Sequence, residues 1–365
     1  MNQKIRTFGI GVVAAVWLGL VAFAWFGTKT DISDTERREL AQMPALSAEA
    51  LLDGNFMTDF EAYAQDQFPL RNTFRQAKSL FHTYVLGQKD NHGIYIADDY
   101  AAELNYPLDE SSLAHALGQF QKVYDKYLFG TDSRIYTAVV PDKSYYLAED
   151  LGYPAMDHAK LFSAVQEGMP WAQYIDLTDT LTREDYYRSD THWRQEMLLP
   201  TAEKIASAMD ITVPKAEDYT FTPISRPFYG VYYGQAALPM KPETMYILQS
   251  DLLEKCRVYS YEKDAYSEVY NMEKLESKDL YDVFLSGAES LLRIENPNAN
   301  TDRELIVFRD SYASSLIPLL VQDYRTVTLV DLRYLNVEQL GRFLSFTGQD
   351  VLFLHSTLVL NKKLI

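Results

Sequence analysis

Two segments of the chain hold the residue types that a nucleophilic site needs: YYRSDTHWRQE (186–196) and ELIVFRDSYASSLIPLL (304–320). In the second, Ser311 follows the apolar run ELIVF and precedes a helical pattern. A serine at such a strand-to-helix turn presents its hydroxyl at the strand tip, and its own backbone N–H lies where free amides suit an oxyanion. The hydroxyl needs a base, because its pKa is far above neutral. His192 is the candidate base, since imidazole takes and returns a proton near neutrality. The chain has six histidines, so candidate bases are few. Asp190 stands two residues earlier, on the same side of an extended segment, and can orient the imidazole. The same residues allow other readings. A serine after a strand can simply cap a helix, His192 beside Trp193 can be a satisfied core histidine, and Asp190 can cap the next helix. Asp190 and His192 would also suit a metal, but no third clustered ligand is visible in the sequence, and no metal or other cofactor is expected.

The elements that position these residues read as α/β. GIYIA (93–97), RIYTAVV (134–140), WAQYIDL (171–177), ELIVF (304–308), TVTLV (326–330) and DVLFL (350–354) are short apolar runs. Between them lie helical patterns, such as 110–128, with Ser111 or Ser112 as its cap and Leu113, Leu117, Phe120, Tyr124 and Leu128 as its stripe. Such alternation predicts a parallel sheet covered on both faces. Ligands of these folds sit at the carboxyl ends of the strands. Lys143, Arg333 and Tyr334 follow strands in this way, and they join Trp193 as candidate substrate-binding residues. Residues 215–262, rich in proline and tyrosine, read as an irregular or antiparallel insertion near the cleft. NPNAN (296–300) reads as a turn.

Residues 7–28 carry no charge and are long enough to cross a bilayer as a helix. Lys4 and Arg6 before them predict that the rest of the chain is exported. The run serves either as a retained anchor or as a signal segment cleaved near Ala22-Phe23-Ala24. The expected organisation is an anchor over 1–30, a helical stem over 31–90, and an α/β domain over 91–365. In the stem, Leu51, Phe56, Phe60 and Tyr63 recur at helical spacing. A second helix is expected over 72–86, with Phe74, Leu80, Phe81 and Tyr84 inward and Pro69 marking the break.

Composition narrows the function. The net charge of −17 argues against a nucleic-acid partner. Hydrophobic residues at 47% allow a sizeable core. The single cysteine, Cys256, excludes an intrachain disulfide. The 27 tyrosines suit either a glycan-facing cleft or an ordinary core.

YYRSDTHW and IVFRDSYASSLIPLL, in this order, resemble the DHHW family and the related SGNH-like domains of alginate O-acetylation proteins. DQFPLRN (66–72), VVPDKSYY (139–146), FYGVYYG (228–234) with KPETMY (241–246), and VTLVDLRYL (327–335) resemble further motifs of that group, so the likeness runs from about residue 60 to 340. It implies a three-layer α/β/α, flavodoxin-like domain with Ser311 as nucleophile, His192 as base and Asp190 as orienting acid. It also implies O-acetyl transfer to an exported or cell-surface polysaccharide, with a membrane-bound O-acyltransferase as partner. A carbohydrate esterase with the same triad, and a non-catalytic glycan-binding envelope protein, are the alternatives. The sequence departs from the group's pattern in places. Thr191 stands where the namesake motif has its first histidine. Ser311 follows Arg309-Asp310 rather than Gly-Asp, and Leu199-Pro200 replaces small residues. Asp310 reads as a structural hydrogen-bonding residue, and no oxyanion donor beyond the Ser311 amide can be named.

Overall fold

The computed structural model describes residues 3–33 and 35–365. Met1 and Asn2, at the start of the expected anchor, and Asp34, in the expected stem, lie outside the described residues. The chain divides into two compact units: residues 1–92 with 233–239, and residues 93–232 with 240–365.

The first unit opens with the helix Gln3–Phe26. Within it, Arg6–Phe26 is 21 residues long with a mean hydropathy of 2.2, and none of its apolar window is buried. At 1.5 Å per residue this span is about 31 Å, the thickness of a hydrocarbon core. The helices Ala48–Leu52, Asn55–Asp66 and Arg71–Leu80 follow, the last running into one wide turn over Phe81–Val85. An ion-pair network ties this unit together. Arg38 forms a two-pronged contact with Asp66 at 2.8 and 2.6 Å, and Glu36 holds Arg71 at 2.6 Å and Arg75 at 2.9 Å. Asp66 also accepts the Ala41 amide. Of the four residues expected to face inward, Phe74, Leu80, Phe81 and Tyr84 are all exposed. Helical spacing tells which side chains share a face, not whether anything covers it.

The second unit is built on an eight-stranded sheet. In chain order its strands are β1 (Ile135–Val140), β2 (Gln173–Ile175), β3 (Arg257–Ser260), β4 (Ala265–Ser267), β5 (Leu291–Glu295), β6 (Arg303–Arg309), β7 (Tyr324–Val330) and β8 (Asp350–Ser356). The spatial order is β4-β3-β5-β7-β6-β8-β1-β2. The five strands from β7 to β2 are parallel, and β5, β3 and β4 extend that sheet antiparallel. The runs expected as strands over 134–140, 171–177, 304–308, 326–330 and 350–354 are β1, β2, β6, β7 and β8. Ile94–Ala97 instead pairs antiparallel with Tyr100–Glu103 in a separate hairpin.

Strand alternation divides the core in two. Leu305 and Val307 of β6, with Leu352 and Leu354 of β8, pack with Ala202, Ile205 and Met209 on one face. Ile306, Phe308, Val351 and Phe353 pack with Leu113, Phe120, Leu161 and Val165 on the other. Burial on both sides is what makes these strands read as unbroken apolar runs, and the result is a three-layer α/β/α arrangement. The helix Glu110–Val123 is capped by Asp109, whose carboxylate accepts the Ser111 and Ser112 amides, rather than by either serine. Within 215–262, Thr220–Pro223 pairs antiparallel with Tyr246–Gln249, while β3 near its end joins the main sheet.

Candidate active site

β6 lies between β7 and β8 and delivers Ser311 two residues beyond its carboxyl end. Asp310 fixes the turn. One of its carboxylate oxygens accepts the Tyr312 amide at 3.0 Å, and the other accepts the Ser356 amide and hydroxyl, both at 2.7 Å. The Ala313 amide bonds the Asp310 carbonyl. The Tyr312 and Ala313 amides are therefore turned back onto Asp310, and the Ser311 amide is the turn's remaining candidate oxyanion donor. Arg309, fully buried, donates to the Ser314 hydroxyl at 3.1 Å and the Glu289 carbonyl at 3.3 Å. It is the residue at which the sequence departs from the Gly-Asp pattern, and it ties the turn to the loop before β5.

The 186–193 segment meets this turn from across the sequence. His192 Nε2 lies 2.8 Å from Ser311 Oγ, and His192 Nδ1 lies 2.6 Å from Asp190 Oδ1. The same Asp190 oxygen accepts the His192 amide at 3.0 Å, while Oδ2 accepts the Val231 amide at 2.8 Å. Asp190 is fully buried, and three donors around its carboxylate offset the cost of placing a charge there. The imidazole lies flat on the Tyr281 ring, with centroids 3.8 Å apart and planes 7° apart. The Tyr281 hydroxyl in turn bonds Ser315 Oγ at 2.8 Å. Ring stacking and the Asp190 bond together leave the imidazole one orientation, with Nε2 on the serine.

An antiparallel bridge between Tyr186 and Trp193 closes the loop that carries Asp190, and backbone groups at its tip find partners on other segments. Lys143, after β1, is buried and donates to the carbonyls of Tyr187 at 2.6 Å, Asp190 at 2.8 Å and Arg188 at 3.2 Å. Burial pulls its ammonium down to about 7, with Asp190, Glu243 and Asp142 acting in the opposite direction. From the 215–262 segment, the Glu243 carboxylate accepts the Arg188 amide at 2.8 Å and the Ser189 amide at 3.0 Å. The Gly230 amide donates to Ser189 Oγ at 2.9 Å. A Cβ at Gly230 would lie 2.2 Å from the Ser189 carbonyl oxygen and 2.3 Å from the Asp190 nitrogen, so this close approach admits only glycine.

Of the residues expected to bind substrate, Lys143 thus holds the acid-bearing loop. Trp193 is in the core with no exposed surface, its indole N–H shared between the Tyr312 carbonyl and Ser315 Oγ. Arg333 and Tyr334 follow β7, at the same end of the sheet as Ser311. Arg333 is paired with Asp331 at 2.6 Å and lies over the Tyr334 ring, which is 60% exposed. Glu243, Gly230 and Tyr281 were not singled out in the sequence. Gly230 and Glu243 sit inside FYGVYYG and KPETMY, but their partners lie more than forty residues away.

The chain is similar in fold to a DHHW family protein. That protein, from Eubacterium siraeum DSM 15702, aligns with a TM-score of 0.59 at 20% identity, over 75% of this chain and 93% of its own. Bacillus cereus PatB1, solved with a sulfonyl adduct, aligns with a TM-score of 0.55 at 16% identity, over 72% of this chain and 94% of its own. The O-acetyltransferase domain of Pseudomonas putida AlgJ aligns at 0.46 and 15% identity, over 74% of this chain and 93% of its own. No protein-family model and no curated protein sequence matches the chain. The first two alignments establish the α/β fold, and they span nearly the whole of both solved proteins.

Proposed function

We propose that this chain is a membrane-anchored, extracytoplasmic serine O-acetyltransferase acting on a cell-surface or exported polysaccharide. The observation that carries the reading is the continuous chain from Ser311 Oγ through the His192 ring to the buried Asp190 carboxylate. Ser311 Oγ attacks the carbonyl carbon of an acetyl ester while His192 Nε2 takes its proton. The tetrahedral oxyanion meets the Ser311 amide. On collapse the donor's alkoxide leaves with the proton from His192, and an acetyl-serine remains. A sugar hydroxyl then attacks that ester, giving its proton to His192, and Ser311 leaves with it. Asp190 stabilises the imidazolium at both stages. The exposed apolar span Arg6–Phe26, preceded by Lys4, supports a single-pass anchor with the α/β unit outside. Acetyl delivery from the cytoplasmic side then calls for a membrane-bound O-acyltransferase partner. Cleavage of that span would release the same enzyme.

The test uses the full chain in detergent micelles, native and Ser311→Ala, with p-nitrophenyl acetate and a panel of cell-wall oligosaccharides. Ester turnover that Ser311→Ala abolishes, with an acetylated oligosaccharide among the products, is the expected result. Acetate as the sole product would make the chain an esterase. Equal inertness of both forms toward esters and toward a sulfonyl fluoride would overturn the catalytic reading in favour of a glycan-binding protein.

A further inference from the structure

In the first unit, the helix Arg71–Leu80 and its wide turn Phe81–Val85 carry their two faces the wrong way round for a helix in water. At about 100° per residue, Arg71, Arg75 and Lys78 share one face, and Phe74, Ala77, Leu80, Phe81, Tyr84 and Val85 the other. A soluble domain turns the apolar face to its core. Here the charged face is turned in. Glu36 holds Arg71 and Arg75, and Arg75 also donates to the Gly234 carbonyl at 3.0 Å. Ser79, the one buried residue of the helix, accepts from Asn91 Nδ2 at 2.7 Å. The apolar face is turned out: Phe81, Tyr84 and Val85 are 52%, 75% and 66% exposed. A contiguous apolar face of this kind marks a surface that something apolar covers.

The same unit indicates what covers it. The apolar span ends at Phe26. Just beyond, Lys29 and Thr30 are stitched to the helix Asn55–Asp66 and the residue that ends it. Lys29 Nζ lies over the Tyr63 ring at 5.2 Å and donates to the Ala24 carbonyl in the last turns of the span. The Thr30 amide donates to Gln67 Oε1 at 3.1 Å, and Gln67 Nε2 donates to the Thr30 carbonyl at 2.8 Å. Tyr63 and Gln67 share a stripe with Phe56 and Phe60, whose rings follow one another at 6.0 Å. An aromatic stripe thus begins where the chain leaves the span, the level at which a bilayer surface favours such rings. The helix Arg71–Leu80 starts four residues after Gln67. It is tied to the same place by Arg71 on Asp66 at 3.3 Å and by Phe74 edge to face on Phe68 at 5.5 Å. A helix with a basic face, an aromatic and aliphatic face and little net hydrophobicity is the kind that lies in a bilayer interface.

We infer that the helix Arg71–Leu80 and its turn lie on the bilayer surface from which the span emerges, with Phe81, Tyr84 and Val85 inserted among the headgroups and upper acyl chains. The inference rests on the anchor reading above and adds a second, peripheral contact with the same membrane. With two attachments the first unit cannot swing freely about the end of the span.

The experiment reconstitutes the full chain, carrying Cys256→Ala, into phosphatidylcholine vesicles. One nitroxide label at a time is placed on Trp17→Cys, Lys78→Cys, Phe81→Cys, Tyr84→Cys or Val85→Cys. Electron paramagnetic resonance then reads collisions with oxygen, which concentrates in lipid, and with a nickel chelate, which stays in water. Oxygen is expected to dominate at positions 17, 81, 84 and 85, and the order is expected to reverse at position 78. Nickel dominating at 81, 84 and 85 while oxygen dominates at 17 overturns the inference and leaves the anchor standing. Shielding of all three from both reagents, with spin–spin broadening, would put a second copy on this face and overturn it too. Nickel dominating at 17 sinks the anchor reading, and the three labels on the turn still decide the peripheral contact. All three positions are exposed, so if one variant loses its native melting temperature the other two decide.

Discussion

Ser311 and His192 are 119 residues apart in sequence and 2.8 Å apart in space. At this scale each side chain has a separable job. Asp190→Asn keeps the shape but removes the charge opposite the imidazolium. Its kcat for p-nitrophenyl acetate should fall by about 10²–10⁴ with little change in KM. Tyr281 tests whether stacking matters apart from hydrogen bonding. Tyr281→Phe keeps the ring on His192 and should retain most activity. Tyr281→Ala frees the imidazole and should cost about 10–100-fold in kcat, with a melting temperature that also drops, because the deleted ring leaves a void worth roughly 3–5 kcal/mol. The sequence made Ser311, His192 and Asp190 legible because few other residue types do this chemistry. It left Tyr281 invisible, since one tyrosine among 27 has no local mark.

At the scale of elements, the 215–262 segment clamps the loop that carries Asp190. Glu243→Ala would strand the Ser189 amide, at roughly 1–3 kcal/mol for a buried group left unsatisfied, while water can take over the exposed Arg188 amide. Gly230→Ala would push the Ser189–Asp190 backbone away. Both variants should lower kcat more than they raise KM, and Glu243→Gln should recover part of the loss. A merely destabilised fold would instead lower the active fraction, which active-serine titration with a sulfonyl fluoride measures. The sequence marked this segment as irregular and near the cleft. Its register against residues 188–190 could not be read, because each of these bonds ends on a backbone amide, a group that nearly every residue has. Lys143 and Trp193 show the same limit: a residue beside the site can serve the site's frame instead of its ligand, and side-chain direction alone separates the two.

At the scale of the molecule, the fold's pH response should carry the mark of His355 on β8. Burial depresses its pKa to about 4, against the opposing pull of Asp310 and Asp331. The unfolded chain holds that proton up to about 6.5. The stability contribution is therefore complete above about 6.5 and is lost as pH falls toward 4, about 3 kcal/mol in all. Urea unfolding of the native chain against His355→Gln should show the difference shrinking over that window. Membrane retention is a second whole-chain readout. With the anchor uncut, the protein should stay in the pellet after alkaline carbonate washing and keep its full mass. A soluble form beginning near residue 25 would mark cleavage instead. Sequence alone determined the alternation of buried strands and helices and the apolar N-terminal span, and it singled out Ser311, His192 and Asp190 as candidates, because hydrophobic periodicity and rare chemistry are local properties. Tertiary structure alone decided that β3, β4 and β5 extend the sheet antiparallel and that Phe74, Phe81 and Tyr84 stay exposed. Each of those depends on which surfaces meet, and a residue's own neighbours in the chain do not carry that information.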